Sequence, residues 1–226
     1  MEKEDLFDHS PVRVFDKATD GGLKHGEIGL VTSKKGLGKT SVLVQFGMDA
    51  LLQNKQLVHV SFDQHSANVI SWYESIFTEI AKKKNLSNVN ELKDSLFRDR
   101  TILNFNQETF SLPKVIKTLN ALKEGGIKVS AIVVDGVDLS KVSAEDMKTV
   151  AAFVKEQKIT AWFSATAVGE KLDDSVPADL QKYFEAVIHL TPKPEGVYVS
   201  IVKFHDKDAQ PAALKLDSKS LLMIQK

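Results

Sequence analysis

The sequence contains no cysteine. That excludes disulfides and thiolate metal sites, and it fits a reducing compartment. It also carries no net charge, because Lys and Arg total 30 and Asp and Glu total 30. A neutral chain lacks the broad basic field of a large nucleic-acid footprint, although a local patch can sit inside a neutral total. No apolar run approaches the length of a membrane span. The opening residues, Met1-Glu2-Lys3-Glu4-Asp5, are charged and have no apolar stretch. They do not read as a signal peptide, so a cytoplasmic protein without a membrane span is expected. No Pro/Gly/Ser-rich linker divides the chain, and there is no internal repeat. His25, His59, His65 and His189 show no ligand spacing, so no transition-metal site is expected.

What is present is an ordinary globular composition. The 226 residues are 42% hydrophobic and 27% charged, enough for one α/β domain with a full core. Residues 1–10 are polar and are expected to be a flexible start to a single domain spanning 11–226.

The stretch with the sharpest chemistry is Ser33-Lys34-Lys35-Gly36-Leu37-Gly38-Lys39-Thr40. It follows the apolar run Ile28 to Val31 and precedes an amphipathic run from Ser41 to Leu52. Strand, glycine loop, Gly-Lys-Thr and helix is the context in which a P-loop match carries weight. Gly36 and Gly38 allow the backbone to curl so that its N–H groups converge, and the positive end of the following helix adds to the attraction for phosphate. Residues Lys35, Gly36, Leu37, Gly38, Lys39, Thr40 and Ser41 are therefore the candidate nucleotide cradle. Lys39 would reach the β- and γ-phosphates, and the Thr40 hydroxyl would hold Mg²⁺. Ser33 stands where the motif opens with Gly or Ala, and a serine is more restricted at positive φ.

Hydrophobic patterning supplies the rest of the frame. Short β-rich runs occur at Leu57–Phe62, Thr101–Phe105, Val129–Val134 and Thr160–Ala165. Between them lie helical patterns at 67–84, 89–98, 112–123 and 144–157. A short helix is expected over 177–184. From Ala186 onward the runs at 186–190, 197–204, 213–216 and 221–224 are separated only by turns. The expectation is an α/β fold with a mostly parallel central sheet flanked by helices, carrying a C-terminal antiparallel β extension.

Ligands of such sheets sit at the carboxyl ends of the strands. Asp135 ends the run Ile132-Val133-Val134 and is placed to hold Mg²⁺ as a Walker B aspartate does. Asp138 is the fallback ligand. Asp63 ends the second strand and is a candidate general base for an attacking water, with Gln64 beside it. Ser164 and Thr166 end the fifth strand and either touch the γ-phosphate region or cap the strand. Trp72, Tyr73 and Trp162 read as core or boundary residues.

The pattern Gly21-Gly22-Leu23-x-x-Gly26-Glu27-Ile28, then a strand, then Gly36-x-Gly38-Lys39-Thr40-Ser41, resembles the RecA superfamily. Within it the chain looks most like the KaiC, RadA and DnaB-helicase branch. The resemblance spans roughly residues 11–226. It implies a RecA-like core, ATP with Mg²⁺ as cofactors, and a homo-oligomer or a related P-loop partner. The choice of adenine over guanine rests on this resemblance. Asn54-Lys55-Gln56 lacks the acidic residue of a guanine-recognition motif.

The departures point the other way. Asp63-Gln64 stands where the family carries its catalytic glutamate. Lys203-Phe204-His205 stands where it often carries Lys-x-Arg, and a histidine cannot replace a permanently charged guanidinium fork. The loop between Ala165 and Ala186 is short and lacks aromatic platforms or Arg clusters, which argues against a nucleic-acid partner. The expected function is a slow Mg-dependent ATPase, with Lys39 and Asp63 catalytic, that couples nucleotide state to an oligomer or a protein partner. The alternative is a catalytically degenerate nucleotide-binding module.

Overall fold

A computed structural model describes residues 2–62, 64–82, 89–109, 111–167, 169 and 171–226, without the side chains of 2 and 208–213. Among the described residues, nine strands form one sheet in the order β3-β2-β4-β5-β1-β6-β7-β8-β9. Strands β1 (Ile28–Ser33), β2 (Leu57–Ser61), β3 (Arg100–Asn104), β4 (Ala131–Val137), β5 (Thr160–Thr166) and β6 (Ala186–Lys193) are parallel. Strands β7 (Gly196–Phe204), β8 (Lys207–Leu216) and β9 (Met223–Gln225) add on antiparallel. This is the expected division into a parallel part and a C-terminal antiparallel extension.

The central strands are apolar almost without interruption because both of their faces are covered. Leu30, Ile132, Val134 and Phe163 pack with α6 (Leu112–Glu124) and α7 (Ala144–Glu156). Val31, Val133, Trp162 and Ile188 pack on the opposite face, with α3 (Lys39–Leu52) and α4 (Ser66–Lys82). The run Ser41 to Leu52, expected to be amphipathic, is buried along nearly its whole length. Helices α1 (Glu2–Asp8), α2 (Val12–Ala18), α4 and α5 (Val89–Arg98), with the last strands, enclose it, so no side remains to be polar.

Two local expectations changed. Residues 2–8, read as a flexible polar start, form α1, with the Leu6 side chain fully buried. One apolar residue per turn is enough to dock so short a helix, and it leaves little periodicity to detect. The helix expected over 177–184 is absent. In its place are one turn of helix, α8 (Leu172–Ser175), and a 3₁₀ turn at Gln181–Tyr183. Among the described residues no helix is long and apolar enough to cross a membrane.

Candidate functional site

Strand β1 lies at the centre of the sheet between β5 and β6, and its last residue, Ser33, opens the phosphate loop. Gly36 and Gly38 have φ of 84° and 97°, the left-handed region in which glycine is unstrained. Ser33 is not in that region. It is the last residue of the strand, paired to Thr166 and Leu190. The restriction anticipated for a serine at positive φ therefore does not arise. Its hydroxyl donates to the Lys34 carbonyl at 2.7 Å.

Lys39 is buried, with Nζ 3.4 Å from the Ser33 carbonyl, 3.4 Å from the Lys34 carbonyl and 3.5 Å from the Ser33 hydroxyl. These are long contacts for an ammonium, which bonds an anionic oxygen at about 2.7–2.9 Å. The ammonium thus lies inside the loop, at the N-terminus of α3.

Asp135 is 2% exposed. Strand β4 does not end at Asp135, as the Asp-Gly pair suggested, but continues to Val137 through a register shift between Val134 and Val137. An irregularity of this kind re-aims a side chain. The carboxylate accepts from Thr40 Oγ1 at 2.7 Å on one oxygen and from Ser164 Oγ at 2.5 Å on the other. Ser164 also accepts from the Gly136 N–H at 2.9 Å. Thr40 Oγ1 in turn accepts from the Gln64 amide at 2.9 Å. The chain Gln64–Thr40–Asp135–Ser164 thus links three strand ends to the first turn of α3. Its hydroxyl and carboxylate oxygens are the hard donors that Mg²⁺ prefers, and Thr40 and Asp135 are the pair that would hold it.

Lys39, Thr40, Gln64 and Asp135 line a cleft of about 520 Å³. Leu37, Trp72, Val197 and Leu221 line it as well and make it amphipathic, with Asn68 as a further amide. Trp72, read from sequence as a core or boundary residue, is half-buried at this cleft, whereas Trp162 is in the core, stacked on Phe46 at 3.8 Å.

Several candidates fall elsewhere. Asp63 lies outside the described residues. Asp138, the fallback metal ligand, instead caps the 3₁₀ turn Leu139–Lys141 and accepts from Ser140. That bonding holds its carboxyl below the usual range. Thr166 is exposed and takes no part in the Asp135 network. Asn54-Lys55-Gln56 precedes β2, at the opposite end of the sheet from the P-loop. His205 sits in the turn after β7, beside the amino end of β6, where Phe204 pairs with Ala186. Its ring lies 3.1 Å from Glu27, and Lys203 Nζ donates to the Gln181 carbonyl at 2.8 Å.

A family model described as "ATPase: KaiC" matches residues 9–195. The chain belongs to the KaiC ATPase family. It is accordingly a RecA-like P-loop ATPase domain, and nucleotide binding follows from that membership. No curated protein matches the chain. The matched residues include the P-loop, Asp135 and Ser164, and they stop at the β6–β7 turn. Sequence reading names the loop and Asp135 as candidates. It missed the Gln64 contact with Thr40 and the cleft positions of Asn68, Val197 and Leu221. The signal for Gln64 was its place at a strand end. For Leu221 there was none.

Proposed function

We propose that this chain binds Mg-ATP in the P-loop cleft and hydrolyses it slowly, coupling nucleotide state to the conformation of an oligomer or protein partner in the cytoplasm. The observation that carries the reading is the Gln64–Thr40–Asp135–Ser164 hydrogen-bond chain, set directly beside Lys39. Lys39 reaches the phosphate oxygens and stabilises charge developing there. Thr40 and Asp135 would hold Mg²⁺, which would supply positive charge against the phosphates. Ser164 keeps the Asp135 carboxylate oriented by donating to it. Asp63 takes a proton from the attacking water, and the neutral Gln64 amide can orient that water but cannot accept its proton.

A second reading, a nucleotide-binding module with little turnover, is favoured by two observations. The amide of Gln64, which follows β2, donates to Thr40, and an amide cannot accept the proton of an attacking water. Lys203 and His205 are already engaged within their own chain, at the other end of the sheet. Nucleotide titration with and without Mg²⁺, followed by phosphate release, separates the two. Turnover lost in Asp63→Asn supports the ATPase. Tight binding with turnover equal to that of Lys39→Ala supports the module.

A further inference from the structure

The C-terminal turn between β8 and β9 is built onto the P-loop helix by two side chains, Ser41 of the candidate nucleotide cradle and Gln45. Ser41 and Gln45 are both fully buried on α3. Ser41 Oγ donates to the Leu221 carbonyl at 3.0 Å, and Gln45 Nε2 donates to the same oxygen at 3.0 Å. Gln45 Oε1 accepts from the Met223 N–H at 2.7 Å. One buried amide therefore grips the backbone on both sides of Leu222. From the other side, the Leu221 N–H donates to the Asp217 carbonyl at 2.9 Å. Held this way, Leu221 has φ of 56°, a conformation that disfavours a leucine. Such strain persists only where the surroundings over-determine it. Here it sets the half-buried leucine side chain against the cleft wall near Leu37 and Gly38.

We infer that Leu221 is a positioning residue for the nucleoside, clamped over the P-loop cleft by Ser41 and Gln45. The inference rests on the nucleotide reading above and deepens it. Three features support it. The cleft is amphipathic, with Lys39, Thr40, Gln64 and Asp135 on the phosphate side and Leu221 among its apolar wall residues. Ser41 directly follows Thr40, so the first turn of α3 carries both the phosphate contact and the clamp. The turn lies beyond residue 195, outside the residues that the family model matches. Phosphate binding at Thr40 and the order of residues 217–223 are then linked through one helical turn.

The test compares Mg-ATP with Mg-tripolyphosphate, which has the phosphates but no nucleoside. Leu221→Gly suits the backbone conformation and removes only the wall. It is expected to weaken ATP about tenfold, the loss of part of one leucine's apolar contact, while tripolyphosphate changes less than about twofold. Leu221→Met restores ATP affinity. Gln45→Leu, with its fold checked by thermal unfolding, shows the same selective loss and faster hydrogen exchange at the Met223 amide. Unchanged ATP affinity in Leu221→Gly, or equal loss for both ligands, overturns the inference and leaves nucleotide binding standing. A wild-type protein that binds neither ligand overturns the nucleotide reading and this inference with it.

Discussion

Individual side chains in this molecule have sharply different surroundings, and two of them yield quantitative expectations. Asp135 is held by two hydroxyl donors in a nearly dry site. Asp135→Asn keeps the shape but removes the charge that would balance a divalent cation. Mg²⁺-dependent enhancement of nucleotide binding is expected to fall at least tenfold, while Mg²⁺-free binding changes little; parallel titrations in magnesium and in EDTA check this. His59 is fully buried on β2, with Nδ1 3.0 Å from the Tyr73 hydroxyl and Nε2 without a hydrogen-bond partner among the described residues. Burial, helped by the nearby Arg100 cation, pushes its pKa from 6.5 down to about 3. The native state therefore refuses a proton that the unfolded state accepts. This contribution to stability is intact above about pH 6.5 and is lost as pH falls from there toward 3. The slope approaches about 1.4 kcal/mol per pH unit for one proton. Urea unfolding of wild type and His59→Asn across this window should show the mutant with the shallower acid slope.

At the scale of elements, packing around the central strand decides what is tolerated. Gly29 on β1 lies opposite Trp162 on β5, and a Cβ there would sit 2.4 Å from the indole ring. Gly29→Ala is expected to cost about 1–3 kcal/mol through overpacking, read as a lower thermal midpoint. Helix α4 offers an optical probe. Of the two tryptophans, Trp162 is in the core and Trp72 is at the cleft. Nucleotide should therefore change the emission of wild type but not that of Trp72→Phe. These elements also explain what could be read from sequence. Strand β1, the loop and α3 are local: glycine spacing, an apolar run and a lysine sit within a few residues of one another. Asp135 stands out in sequence because it follows an unbroken apolar run, although β4 continues past it to Val137. The bond between Ser41 and Leu221 spans 180 residues and leaves no local mark. Helix α1 was missed for a related reason, since its burial comes from docking on α3. The all-round burial of α3 depends on the same distant partners.

Among the described residues one sheet carries the P-loop in its parallel part, and its antiparallel part, with the turn before β9, lines the same cleft through Val197 and Leu221. Lys203 and His205 lie at the far end of the sheet from the P-loop. Within one subunit they therefore do not complete the γ-phosphate site, and any charge they supply would act across an interface. If nucleotide state is coupled to assembly, the apparent mass in solution should shift between Mg-ATP and nucleotide-free protein. Sizing by light scattering reads that shift, and Lys39→Ala should remove it. The central claim is that the P-loop cleft binds and turns over Mg-ATP. Its most direct test is phosphate release from purified protein with ATP, in magnesium and in EDTA, beside Lys39→Ala. The account predicts slow release that needs magnesium and exceeds the Lys39→Ala rate by at least about tenfold. Release at the mutant's level in every condition would contradict it.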